Sequence, residues 1–307
     1  MARGGSRTIA DSRPSISSIL TLEQLDEDRF RGLSHVEAPR IFGGQTFAQA
    51  VLAAGRTVAP DRLPHHAQAH FLLPGRADLP VDYRVETVRD GGSYSTRTVH
   101  AGQAGVEILA LTASFQRHRD GFAFHTAEPP AVPAPEELPT LDELVAADLP
   151  ALGWLGDLAS VLAIDLRLPE SFPQLRSRRG EVTAPEQWMW LRVDGPLIDD
   201  PLIRAAAVAY CSDLFLVSAA FSPQGGISGS PGTDIATLNH AAWLHADTPI
   251  DQWHLYQHNG FWSGDGRGMA RGVLFRQGVP VATTMQEGLR RSGGRAGIRA
   301  LRADEGA

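Results

Sequence analysis

Thr237, Asn239 and His240 stand among apolar residues in the run Gly232–His245, which reads Gly-Thr-Asp-Ile-Ala-Thr-Leu-Asn-His-Ala-Ala-Trp-Leu-His. A buried polar group without a partner costs roughly 1–3 kcal/mol, so these three need partners within the fold or a molecule to hold. Other chemistries fit the sequence less well. His240 and His245 are a pair, as are His254 and His258, but the second pair falls on an expected strand, where residues i and i+4 stand about 13 Å apart, too far to share a metal ion. His240 reads as a hydrogen-bonded structural group or pocket liner rather than a base. Gly226-Ile227-Ser228-Gly229-Ser230 approximates a nucleophile elbow, yet it lacks the final glycine and lies in no strand–turn–helix context. The single Cys211 excludes an intramolecular disulfide and a cysteine-rich metal site. All 28 basic residues are arginine, which excludes a Schiff-base lysine, pyridoxal-phosphate chemistry and a P-loop lysine.

A chain of 307 residues with 43% hydrophobic content can bury a core in one large domain or two smaller ones. A formal charge of -7 argues against nucleic acid or an anionic membrane surface as the main partner, while leaving room for a local basic pocket that takes a phosphorylated small molecule. No apolar run is long enough for a membrane span and none resembles a signal peptide, so the expected location is the cytoplasm.

The polar run must be held by its neighbours in the chain. Residues 1–17 read as a mobile tail, followed by a short helix over Leu20–Asp26. Ile41-Phe42-Gly43-Gly44-Gln45 leads into an Ala-rich helix ending at Gly55, and strands are expected at Ala67–Leu73, Val81–Val88, Ser95–Ala101 and Val106–Phe115. A proline-rich segment over residues 126–160 reads as a linker, interrupted by a short helix at Leu141–Ala147. The second half repeats the order: strands at Ile164–Leu168 and Gln187–Val193, a helix at Pro201–Ser212, then strands at Ile235–Leu244, Trp253–Phe261, Gly268–Phe275 and Val281–Gln286, with a disordered tail over 292–307. Ala77-Asp78-Leu79-Pro80-Val81-Asp82 matches Ala246-Asp247-Thr248-Pro249-Ile250-Asp251. These matches imply an α+β fold made of two copies of a helix wrapped by a curved antiparallel sheet, over residues 18–125 and 161–291.

Several stretches together resemble the double-hotdog acyl-CoA thioesterase II family. They are Phe42-Gly43-Gly44-Gln45, Phe71-Leu72-Leu73-Pro74-Gly75, Val85–Gly91, Thr112–Gln116, Tyr210-Cys211-Ser212-Asp213-Leu214, Ile235–His240 with Trp243 and His245, and Met285-Gln286-Glu287-Gly288. The resemblance covers roughly residues 20–291. It implies a double hotdog, hydrolysis of acyl-CoA without a cofactor or metal, and a catalytic set at Asp213, Thr237 and Gln286. A carboxylate would deprotonate a water that Thr and Gln orient, with no covalent acyl-enzyme and with the amides of a helix N-terminus receiving the oxyanion. Gly43, Gly44, Gln45, His240, Arg267 and Arg271 are the expected substrate-binding residues, the arginines through CoA phosphates.

Asn239 departs from the family, which usually carries an acid there; a lost charge could alter substrate preference. Aligning the repeats sets Gly55 opposite Asp213, Gln68 opposite Thr237 and Ser114 opposite Gln286, so only the second half is expected to hydrolyse thioester. A homo-oligomer, dimer or tetramer, is expected from the exposed sheet. The competing reading is a catalytically silent acyl-CoA-binding double hotdog. A hydratase would need a His with an acid, which the His70 and His240 contexts do not supply.

Overall fold

The computed structural model describes residues 14–34, 38–147, 162–177, 181–195, 197, 199–225 and 233–292. Twelve strands form one antiparallel sheet. The first half contributes β1 (Leu22–Gln24), β2 (Arg29–Gly32), β3 (Arg62–Phe71), β4 (Val81–Asp90), β5 (Tyr94–Gln103) and β6 (Val106–Arg117). The second contributes β7 (Ile164–Arg167), β8 (Glu186–Val193), β9 (Thr233–Leu244), β10 (His254–Gly264), β11 (Arg267–Arg276) and β12 (Val279–Ser292). The α-helices among the described residues are α1 (Ile16–Ile19), α2 (Gly43–Gly55), α3 (Leu141–Ala147), α4 (Pro173–Ser177), α5 (Pro201–Ser212) and α6 (Ser218–Phe221). The strand order β1-β2-β4-β5-β6-β3-β9-β12-β11-β10-β8-β7 reads the same from either end, with β3 and β9 meeting at the centre.

Period-2 patterning explains the strands. β5 and β8 alternate buried and more open side chains along their whole length, which lets one face meet the helices. α2 is buried on every side from Gly44 to Gly55, and small residues make that possible. Its most deeply buried polar side chain, Gln49, accepts from Tyr83 Oη at 2.7 Å and donates to Ile19 O at 2.6 Å. α2 and α5 pack on each other; a side chain at Gly44 would strike the Tyr210 carbonyl oxygen, so glycine permits this approach.

The start of the chain corrects the sequence expectation. No helix spans Leu20–Asp26; α1 precedes that stretch, which forms β1 and a turn into β2. Ile16 and Ile19 are fully buried, so the ordered fold begins inside the segment expected to be a mobile tail. The remaining tail residues, 1–13 and 293–307, and the Gly226–Ser230 loop lie outside the described residues. The described part of the proline-rich segment is laid along the sheet: Ala127 and Val132 pack with Trp188 and Trp190 over Leu255, Val273 and Phe275. Trp190 Nε1 donates to Pro133 O at 3.0 Å.

Strand registers also correct the repeat alignment. The two hairpin turns Ala104-Gly105 and Gln277-Gly278, all with positive φ, occupy matching places between β5 and β6 and between β11 and β12. At the offset that superposes them, β3 and β9 end together at Phe71 and Leu244. Ala113, paired with Ala67, then falls opposite Gln286, paired with His240. A bulge occurs at the same place in both pairings, past Ser114–His66 and past Glu287–Asn239, and sets Pro64 opposite Thr237. Pro64 and Ala113 therefore replace Gln68 and Ser114 as the counterparts. The similar hexapeptides misled because they slide within their loops: Val81 and Asp82 already lie in β4, whereas Ile250 and Asp251 precede β10.

Candidate active site

Asp213 caps the C-terminus of α5 and is 8% exposed. Gln286 on β12 is 1% exposed and fills its hydrogen-bonding capacity on three sides. Its Nε2 donates both to the Asp213 carboxylate and to Thr237 Oγ1, the latter at 3.1 Å, while its Oε1 accepts from Val217 N at 2.8 Å. The Asp213 carboxylate also accepts from the Gly44 N–H. Three elements distant in sequence thus converge on one carboxylate.

Thr237 reaches this point because of a β-bulge. On β9, Asn239 pairs with Glu287 and Thr237 with Gly288, leaving Leu238 as the extra residue. Strict alternation would turn Thr237 and Asn239 to the same face. The bulge instead puts Thr237 with His240 toward the helices and Asn239 on the outer face. There Asn239 Nδ2 donates to Glu287 Oε2 at 2.8 Å, and Arg267 Nη1 donates to the other oxygen of Glu287 at 2.9 Å. Asn239 consequently takes no part in the Asp213–Gln286–Thr237 cluster.

A cavity of about 470 Å³ opens where the central strands part. β3 and β9 pair only over His66–His70 and Trp243–Asn239, and beyond this Phe71–Gly75 diverge from residues 234–238. Asp213, Thr237, Gly43 and Thr46 line it, with Ile41, Phe71, Ile108, Leu238 and Leu289 forming apolar walls. Gly43 admits the carboxylate: a Cβ there would stand 2.8 Å from Asp213 Oδ2. The N-cap of α2, Phe42, has no side-chain acceptor, and Gly44 N–H is given to Asp213, so the partial positive charge of this helix end already faces the carboxylate beside the cavity.

Burial pushes the Asp213 carboxyl up from 3.8 to about 6, against the opposing hydrogen bonds from Gln286 and Gly44. A carboxylate so placed is a stronger base than one in water and is still ionised at neutral pH. His240 behaves differently. Burial lowers it to about 3, so it is neutral. Ser212 Oγ donates to Ala209 O at 2.7 Å, which leaves His240 Nε2 as the donor to Ser212 Oγ at 2.8 Å. This bond ties β9 to the last turn of α5, just before Asp213.

Of the residues expected to bind substrate, Gly43 lines the cavity and Gly44 meets Asp213. Gln45, His240, Arg267 and Arg271 do not line it. Gln45 Nε2 donates to Leu33 O at 3.1 Å and holds the approach to α2. Arg267 and Arg271 project from the outer face of β11, because Gly268, Ala270 and Gly272 are the buried positions. Sequence reasoning missed Arg40, Thr46 and Arg291, which do line the cavity, and Val217, whose N–H fixes Gln286. Proximity of Thr46 to the glycine pair was the only available signal. Among the described residues no group of three or more His, Cys, Asp or Glu could hold a metal.

A twin cavity of about 580 Å³ opens where β3 and β9 part at their other ends, lined by Pro60–Pro64 on one side and Leu244–Thr248 on the other. It is lined by Asp61, His65, His245 and Asp247 among others, but the Asp–Thr–Gln set has no counterpart there. The counterparts of the three polar residues are Gly55, Pro64 and Ala113, and Leu202 packs against Gly55 so closely that any Cβ there would collide with it. The N-terminus of α5 is already occupied by Asp200, which accepts from Leu202 N at 2.8 Å.

Antiparallel strands curled around buried helices define a hotdog fold, and a solved hot dog protein from Alicyclobacillus acidocaldarius matches 90% of this chain and 98% of its own with a TM-score of 0.71 at 23% identity. The family model described as acyl-CoA thioesterase N-terminal domain matches residues 34–116, and the model described as acyl-CoA thioesterase matches residues 162–289. Human acyl-coenzyme A thioesterase 8 is 35% identical over 285 residues, spanning 89% of this chain and 88% of the relative. The crystal structure of acyl-CoA thioesterase II TesB2 from Mycobacterium marinum matches at 34% identity and a TM-score of 0.71, over 91% of this chain and 98% of that one. The chain belongs to the acyl-CoA thioesterase family.

Proposed function

We propose that this protein is a double-hotdog hydrolase that converts acyl-CoA to free acid and CoA through a single water-activating site per chain. The observation that carries the reading is the Gln286 amide, which bonds Asp213 and Thr237 at once beside the cavity. A water seated between the Asp213 carboxylate and Thr237 Oγ1 loses its proton to Asp213 as its oxygen attacks the thioester carbonyl carbon. The first turn of α2 receives the oxyanion. Collapse breaks the C–S bond, and the thiolate takes back the proton from Asp213, leaving acid and free thiol.

The twin cavity supports the assignment of one site rather than two. Glycine, proline and alanine side chains at the counterpart positions cannot activate or orient water. The sequence further motivates two subsidiary proposals, a cytoplasmic location and a homo-oligomer, the latter testable by light scattering. The outer sheet face offers Trp243, 38% exposed and stacked on His66 at 4.8 Å, as an interface candidate.

The deciding experiment is free-thiol release from a panel of acyl-CoAs of different chain length and branching. Release at the expected stoichiometry of one thiol per acid supports the reading. Saturable binding without release would replace it with a silent acyl-CoA-binding protein.

A further inference from the structure

Charge at the mouth of the 470 Å³ cavity is concentrated in three residues. Arg40, Asp234 and Arg291 all line it. Arg291 and Asp234 are register partners on β12 and β9, so their side chains leave neighbouring positions of the sheet. Arg40 Nη1 stands 3.6 Å from Asp234 Oδ1, beyond hydrogen-bond distance, and both side chains are about half exposed. Arg291 is exposed and makes no ion pair with another described residue. The one carboxylate at the mouth is thus loosely paired with Arg40 alone, and the charge of Arg291 is left over on a chain whose formal charge is -7.

The rest of the wall is apolar, and the carboxylate and hydroxyl of Asp213 and Thr237 lie at the cavity. A ligand suited to this arrangement has an apolar chain, a reacting carbonyl and a phosphate-bearing end that remains near solvent. We infer that Arg40 and Arg291 form a clamp for the phosphates of the thiol carrier, with Asp234 as an internal competitor that holds Arg40 until a phosphate replaces it. Planar guanidinium groups match phosphate oxygens two at a time, which a loose ion pair at 3.6 Å leaves open to exchange. The clamp rests on the thioesterase reading, and it gives the carrier end of the substrate to residues other than Arg267 and Arg271.

The test compares an acyl-CoA with the corresponding acyl-pantetheine, which has the same thioester and thiol arm but no phosphate. For the wild type, kcat/KM should favour acyl-CoA, and added salt should shrink that preference. Arg40→Gln with Arg291→Gln should lower the acyl-CoA to acyl-pantetheine ratio about tenfold, chiefly through KM. Asp234→Asn should move the ratio in the opposite direction. An unchanged ratio in the double variant, or equal losses with both substrates, would overturn the clamp. Free CoA binding by calorimetry provides a second readout. If the wild type binds CoA through these arginines yet hydrolyses neither thioester, the clamp stands and the hydrolase reading fails.

Discussion

Replacing Asp213 by asparagine should change how stability depends on pH, and the structure sets the size of the change. In the wild type, burial raises this carboxyl from 3.8 to about 6. The folded protein therefore holds its proton more tightly than the unfolded chain does, and stability falls as pH rises from about 4 to 6. Below that window both states are protonated and no penalty remains. Above it the ionised carboxylate costs about 3 kcal/mol, since each unit of pKa corresponds to about 1.4 kcal/mol. Asparagine does not titrate, so it escapes this loss. It also has one acceptor oxygen where the carboxylate serves both Gln286 and Gly44, and the lost bond adds a pH-independent penalty of about 1–3 kcal/mol. Denaturant unfolding of both proteins at pH 4 and pH 7.5 separates the two effects. The variant's stability relative to wild type should rise by about 2–2.5 kcal/mol between those pH values, because the unfolded carboxyl is already partly ionised at pH 4. A difference that stays flat, or one that runs the other way, would refute the raised pKa and with it the poised base.

The same group should shape the rate. kcat/KM of the wild type should rise with pH through an apparent pKa near 6 as Asp213 loses its proton, and a profile flat from pH 5 to 8 would count against it. Thr237→Val should cut kcat by roughly 10- to 100-fold by removing a water-orienting hydroxyl. Asn239→Asp should alter turnover by less than about threefold, because that side chain faces Glu287 on the outer sheet surface, and should instead lower stability by up to about 1 kcal/mol through like-charge repulsion. Gly44→Ala should destabilise by about 1–3 kcal/mol or more, measured by denaturant midpoint, because its Cβ meets the Tyr210 carbonyl at the helix–helix contact.

Much of the architecture was readable from patterning. α5 spans the Pro201–Ser212 stretch that its proline start and alanine run indicate, and α3 lies where the proline-rich segment pauses at Leu141–Ala147. Asp213, Thr237 and Gln286 share no sequence neighbourhood, and only the family resemblance implied that they form a set; the fold places Gln286 within hydrogen-bond reach of the other two. What escaped the sequence depended on long-range geometry. A bulge at Leu238 rephases β9, so alternation alone assigns Asn239 to the wrong face. Arg267 and Arg271 are plausible phosphate ligands by type, but the small residues between them turn toward the helices and send both arginines to the outer surface. Arg40 and Arg291 lie far apart in the chain and line a common cavity only because β9 leaves β3 there. α1 was hidden because four residues carry too little periodicity to register, although Ile16 and Ile19 are fully buried.

The most direct test of a single carboxylate-driven site is thiol release per chain by Asp213→Asn, measured on folded protein against wild type with the best acyl-CoA of the panel. Loss of a general base predicts a fall in kcat of about 10²- to 10⁴-fold, with no second site to sustain turnover. Retention of a third or more of the wild-type rate would contradict the account and put the chemistry elsewhere in the chain.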